Sequence, residues 1–242
     1  MTTSGSELLT TTAWLAEHLG GAGRDFALID AGEAVAYRRA HLPGAVGLPH
    51  PYLKGTDHLK DGEQSRLVMT AEEFEVLAGR LGIGNETPVV IYDDNASLHA
   101  ARAWWVLEHF GHRDVRVIDG GLNAWLDEGR PLTSAVPRPE PARFEARVDD
   151  SAHCLLEDLR AIVEAGPDAG DGPQIWDTRS GGEWTGANDR GNQRAGHVPG
   201  AKHLEWTALM EGPPARRFRP RAEIRELLER AGIDPEAETV TY

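Results

Sequence analysis

The sequence predicts an α/β fold built twice over, each copy a parallel sheet flanked by helices. Three observations carry that expectation. Short apolar runs alternate with segments of helical spacing, the pattern of a parallel sheet covered on both faces. One plan recurs in the two halves, in the same order. A proline-rich stretch separates the copies, and the plan restarts after it.

The first copy opens on Phe26-Ala27-Leu28-Ile29-Asp30, an apolar run ending on an acid, and Gln174-Ile175-Trp176-Asp177 repeats it. His41-Leu42-Pro43-Gly44-Ala45 returns as His197-Val198-Pro199-Gly200-Ala201, and Leu81-Gly82-Ile83 as Ala231-Gly232-Ile233. Val89-Val90-Ile91-Tyr92 returns as Thr239-Val240-Thr241-Tyr242. The intervals between matches differ, so insertions separate the copies, among them the polar loop Gly186 to Gln193. Phe74, Leu77, Ala78 and Leu81 share one face of a helix predicted over 70–81. Thr70 is its N-cap, and Glu73 three residues on completes a capping box. Pro88 opens the run Val89 to Tyr92, which reads as a buried parallel strand. A helix from Ser97 to Phe110, ended by Gly111, and a strand from Val115 to Ile118 follow. The second copy is expected to hold a helix from Cys154 to Glu164, a strand to Asp177, a helix from Arg221 to Ala231 and a strand from Glu238. The expected division is a first domain over 1–133, a linker over 134–147 with Pro137, Pro139 and Pro141, and a second domain over 148–242. One larger doubly wound domain is the alternative, and the clean restart argues against it.

The 242 residues suit two small domains better than one, and 40% hydrophobic content is enough for proper cores. A net charge of −14 repels nucleic acid and anionic membranes, so neither is an expected partner. It also repels a small anionic substrate, which then needs local arginines or backbone N–H groups to hold it. Met1 to Gly20 has no signal-peptide pattern and no window is apolar enough to span a membrane, so a cytoplasmic protein is expected. Cys154 is the only cysteine, so no internal disulfide forms. The histidines have no metal-ligand spacing and no glycine-rich phosphate loop is present, so no cofactor is expected.

Asp177-Thr178-Arg179, Glu183-Trp184-Thr185-Gly186 and Gly196-His197-Val198-Pro199-Gly200-Ala201 resemble the signature of the rhodanese family. Asp119-Gly120-Gly121-Leu122-Asn123-Ala124-Trp125 resembles that family's closing element in the first half. The resemblance spans nearly the whole chain, which is similar to bacterial tandem-domain thiosulfate sulfurtransferases. It implies two rhodanese-like domains, the first a catalytically inactive copy and the second the working one. The family's nucleophile is a cysteine directly after the fourth strand. Loop N–H groups and a helix N-terminus there can lower a thiol pKa from about 8.5 into roughly the 3.5–7.5 range. The thiolate takes the outer sulfur of the donor, holds it as a persulfide and yields it to cyanide or a thiol in a ping-pong cycle. The implied partners are a small anionic sulfur donor and a thiophilic acceptor. The tandem design places the site near the interface of the two halves, so a monomer suffices.

In the first copy Asp93, Asp94 and Asn95 follow the strand. No thiol is present, and a carboxylate stands where an anionic donor has to bind. Ser97 and His99 are expected to be helix-start residues, not members of a triad. In the second copy the corresponding strand reaches Tyr242, and the resemblance places the cysteine directly after it, with roughly 40 further residues expected from the repeat. Cys154 is expected to pack among Leu155, Leu156 and Leu159 at a helix start and not to react. Asp177, Arg179 and Glu183 are expected to support the active-site loop, Asp177 as an organiser and Arg179 as its ion-pair partner or that of Glu183. Arg194 is the candidate for substrate binding, with Arg38 its counterpart in the first copy. His41 and His197 recur in both copies, which suggests structural hydrogen bonding. Relatives that use 3-mercaptopyruvate carry arginine at the position of Glu183, so a carboxylate there leans toward thiosulfate. The other readings are a 3-mercaptopyruvate sulfurtransferase, a Cys-dependent phosphatase with a longer loop, and a catalytically dead interaction module.

Overall fold

The computed structural model describes residues 8–19, 25–48, 68–166 and 172–242. The chain separates into two compact units, one of Met1–Asp150 with Gly212–Arg217 and one of Ser151–Glu211 with Phe218–Tyr242.

The first unit runs β1 (Leu9–Thr10), α1 (Thr12–Leu19), β2 (Ala27–Asp30), α2 (Ala34–Arg39), β3 (Val46–Gly47), α3 (Ala71–Arg80), β4 (Val89–Tyr92), α4 (Leu98–His109), β5 (Val115–Ile118) and α5 (Gly121–Asp127). Its strands form one parallel sheet in the order β1-β5-β4-β2-β3. All of β4 is buried, which is why its sequence is uninterruptedly apolar. Successive strand residues point to opposite faces and so feed two cores. Ile29, Val89 and Ile91 join Phe74 and Phe110 on one side. Leu28, Val90 and Tyr92 join Leu15 and Trp125 on the other. The capping box of α3 closes as expected, with the Glu73 N–H donating to Thr70 Oγ1 at 3.3 Å and the Thr70 N–H to Glu73 Oε2 at 2.8 Å.

The stretch after the first unit's last helix has no regular structure, yet it is fastened down. The Ala142 N–H donates to the Gly79 carbonyl at 3.0 Å and the Arg147 N–H to that of Phe110 at 2.9 Å. Gly79 allows this approach, since a Cβ there would lie 2.6 Å from the Ala142 oxygen. Phe144 is 3% exposed and meets Phe74 edge-on at 5.2 Å. A polar, proline-rich segment thus carries one core residue of the first unit.

The second unit runs α6 (Leu156–Ala165), β6 (Gln174–Asp177), α7 (Gly181–Thr185), β7 (Lys202–His203), α8 (Arg221–Arg230) and β8 (Thr239–Thr241). Its described strands form a parallel sheet in the order β7-β6-β8. Gln174 pairs with Thr239 as Ala27 pairs with Val89, so the register repeats between the copies. One expectation needs correction. The helix forecast from Cys154 starts at Leu156, with the Leu155 N–H held by Asp158 Oδ2 at 2.9 Å. Cys154 therefore lies on the extended entry to the helix, and it is exposed, not packed. Leu155 and Leu156 are exposed beside it.

If the segment after α5 is part of the first core, Phe144→Ala costs about 3–5 kcal/mol in urea denaturation, as other buried Phe truncations do. A loss under about 1 kcal/mol would make it a peripheral strap instead.

Candidate active site

Both sheets end on the same three-part junction at their carboxyl edge, where open α/β folds bind ligands. In the first unit Tyr92 donates its hydroxyl to Asp30 Oδ2 at 2.6 Å and accepts the Leu42 N–H at 3.0 Å. Asp30 Oδ1 takes the Gly32 N–H at 2.9 Å. In the second unit Tyr242 hydrogen-bonds Asp177, and its hydroxyl accepts the Val198 N–H at 2.9 Å. Strand end, neighbouring strand end and the His-x-Pro-Gly-Ala loop are thereby tied together in each copy.

The histidines of that loop also brace it. His41 is fully buried, stacks on Tyr37 and turns its ring nitrogens to the carbonyls of Tyr37 and Ala135, at 2.8 and 3.2 Å. His197 stacks on Trp184 with its Nδ1 2.9 Å from that residue's carbonyl.

The copies differ in what meets the acid. Gly32 follows Asp30 by two residues, whereas Arg179 follows Asp177 by two. The Arg179 guanidinium grips Asp177 through both oxygens, at 2.9 and 2.6 Å, donates to the Gly196 carbonyl at 2.9 Å and lies over the Tyr242 ring. The two acids titrate in opposite directions as a result. Burial raises the pKa of Asp30, which has no cation against it. Burial also pushes Asp177 upward, but the bonds from Arg179 outweigh it and leave that carboxyl below its ordinary range.

Glu183 closes a capping box on α7. Its Oε2 accepts the Ser180 hydroxyl at 2.7 Å and the Ser180 N–H at 3.3 Å, while Arg190 pairs with Oε1 at 3.2 Å. These partners, the serine foremost, lower its pKa. Arg179 and Glu183 do not pair with each other. Arg194 is exposed and makes no hydrogen bond or ion pair among the described residues. The structure thus brings Asp177, Arg179 and Tyr242 together, sets Glu183 beside them through Ser180, and leaves Arg194 as an open cation on the following loop.

The residue after β4 in the first unit is not a bystander. Asp93 is 2% exposed, and four backbone N–H groups converge on its carboxylate: Asn95 and Ser97 on Oδ1, both at 2.9 Å, and His99 and Ala100 on Oδ2, at 2.7 and 2.8 Å. Ser97 holds the N-cap position of α4 without a side-chain cap bond, because Asp93 supplies the cap instead. The Asp-Gly-Gly element closes the back of this loop. The Leu122 N–H donates to the Asp93 carbonyl at 2.8 Å, and a Cβ on Gly121 would lie 2.2 Å from that oxygen. Sequence reasoning missed the cap and the tyrosine junction. The signals were present: Tyr92 and Tyr242 recur in register with Asp30 and Asp177, and Ser180-x-x-Glu183 spells a capping box.

Cys154, the only thiol, lies outside this constellation; desolvation and the Asp158 carboxylate raise its pKa, the reverse of what a nucleophile needs. Among the described residues no group of three or more His, Cys, Asp or Glu is placed to hold a metal, and no helix is long and apolar enough to cross a membrane. A cavity of about 470 Å³ along α6 and β6, lined by Ile162, Val163, Ile175 and Lys202 among others, contains none of these site residues.

Comparison with known proteins agrees with this geometry. The family described as Rhodanese-like domain matches residues 11–128. The sulfur carrier protein TtuD of Thermus thermophilus is 34% identical over 98% of this chain and 82% of its own length. The chain belongs to the rhodanese family. The thiosulfate sulfurtransferase of Corynebacterium glutamicum is 32% identical over 98% of this chain and 76% of its own. Among solved structures, SseA of Escherichia coli, described as a 3-mercaptopyruvate sulfotransferase, shares the rhodanese fold with a TM-score of 0.79 at 24% identity, over 98% of this chain and 88% of that one.

Arg179 gives a sign-specific test. A carboxyl whose folded pKa lies below its unfolded value contributes stability above the unfolded pKa and loses it as pH falls through the folded one. Wild-type Asp177 therefore costs stability on acidification below about pH 4. In Arg179→Ala the acid is left buried without a cation, like Asp30, so its contribution is lost as pH rises through the carboxylate range. Melting temperatures over about pH 3–7 check this; parallel curves for both proteins would mean that Arg179 does not control the acid. At the other junction, Tyr92→Phe leaves Asp30 and the Leu42 N–H short of a partner and costs about 1.5–3 kcal/mol in denaturant titration.

Proposed function

We propose that the second unit transfers sulfane sulfur from thiosulfate to cyanide or a thiol, through a persulfide on a cysteine at the position after Tyr242. The first unit, over 1–133, is the inactive copy, and the setting is cytoplasmic. The observation that carries this reading is the N–H cradle around Asp93. Tyr92 and Tyr242 occupy equivalent places, so the position after each falls where this fold concentrates backbone N–H groups on a single negative charge. A thiolate gains there what the carboxylate gains in the first unit. It attacks the outer sulfur of thiosulfate, the S–S bond breaks, and sulfite leaves with the electron pair. Cyanide then takes the outer sulfur as thiocyanate and frees the thiolate.

In this reading Asp177 and Arg179 are positioning residues that hold the strand ends, and Glu183 braces α7. Arg194 supplies local attraction for the donor against a net charge of −14. A second donor, 3-mercaptopyruvate, is favoured by one observation. Glu183 is already bound by Ser180 and Arg190, so its charge repels an organic acid less than its sequence position suggests. Comparing kcat/KM for the two donors separates the readings.

Intact mass of the natural protein before and after cyanide tests the persulfide. Loss of one sulfur atom to cyanide is expected; a mass unchanged by cyanide after loading with thiosulfate sinks the proposal. Arg194→Ala is expected to raise KM for thiosulfate roughly three- to tenfold, most at low ionic strength, with little change in melting temperature. An unchanged KM removes Arg194 from the donor site.

A further inference from the structure

The first unit lacks a thiol, but its β4–α4 loop is not a decayed one. Two consecutive residues, Ala96 and Ser97, hold positive φ angles of 53° and 65°, a costly conformation for side chains other than glycine. That turn lets the N–H groups of Asn95 and Ser97 point at the same carboxylate as those of His99 and Ala100 at the start of α4. Asp93 does not hold the loop unaided. Its own carbonyl is fixed by the Leu122 N–H, the Asp94 carbonyl by the Asn123 side chain at 3.0 Å, and Gly121 is pressed against the Asp93 backbone. Within the loop the Ser97 hydroxyl is buried and has no partner, one more polar group able to meet an anion.

We infer that this loop is a preformed site for a small monoanion, carboxylate or thiolate, and that the resident ligand is the side chain of Asp93 itself. The first unit is silent because its cradle is filled from within. The inference concerns the first unit alone and stands whether or not the second unit carries a persulfide.

Two substitutions in the full-length protein test it. Asp93→Cys puts a thiol under the same donors, and Cys154, exposed and with a raised pKa, serves as the reference thiol in the same molecule. Alkylation by iodoacetamide, mapped to each cysteine by peptide mass, is expected to proceed at position 93 at least about tenfold faster than at Cys154 near pH 6.5, with a thiol pKa at least about one unit below 8.5. Asp93→Ala empties the cradle, and formate is expected to raise its melting temperature saturably, while chloride at equal ionic strength does not and wild type does not respond.

An ordinary thiol pKa at position 93 in a folded variant would overturn the inference, as would a folded Asp93→Ala protein indifferent to formate. Failure of both variants to fold, even with formate present, would overturn it too. The cradle would then exist only because Asp93 builds it.

Discussion

The hydroxyl of Tyr92 lies between two groups that both depend on it. The Asp30 carboxylate is 5% exposed and needs donors, and the Leu42 N–H sits in a core where an unpaired donor is costly. A single oxygen serves both, donating to one and accepting from the other. Since Asp30 ends β2, Tyr92 ends β4 and Leu42 belongs to the returning loop, the bond fixes three chain segments at the carboxyl edge of the sheet. Tyr242, Asp177 and Val198 repeat the arrangement. What lies beyond these tyrosines is positioned by it, because the strand ending sets where the next loop begins.

That loop is where the fold concentrates positive potential without using a cationic side chain. The N–H groups of a turn and the first turn of α4 meet at one point in a chain whose net charge is strongly negative. Long-range repulsion and short-range attraction thus act on different scales. At about 8–10 Å of screening length the overall field is blunted, whereas four hydrogen bonds at 2.7–2.9 Å are not. An anion is tolerated at this position because its partners are built into the backbone.

Much of this was legible in the amino-acid order. Buried strands announce themselves by unbroken apolar runs, and β4 is wholly buried for that reason. Thr70 and Glu73 form the box that their spacing predicts. Other features had no local signature. Phe144 sits among prolines and charges, and only the sheet's own groove makes it a core residue. Asp93 caps a helix that begins several residues later, an interaction outside the usual one-to-three-residue spacing of an N-cap. Cys154 precedes a leucine cluster that reads as packed, yet the chain enters α6 extended and the thiol faces outward.

The two copies show how one scaffold divides its duties by small changes at equivalent places. In the first, Gly32 leaves Asp30 with a tyrosine and a backbone donor, the acid's pKa rises, and a second acid, Asp93, fills the cradle. Negative charge is drawn inward and satisfied there, so nothing remains to attract or react. In the second, Arg179 takes the place of the glycine and binds Asp177, Arg190 covers Glu183, and Arg194 stays open. Its carboxylates are each answered by a guanidinium, which leaves one cation in surplus on the loop beside the strand ends. A small anion approaching the second unit therefore meets neutralised acids and a free arginine. Approaching the first, it meets a cradle already closed by its own carboxylate.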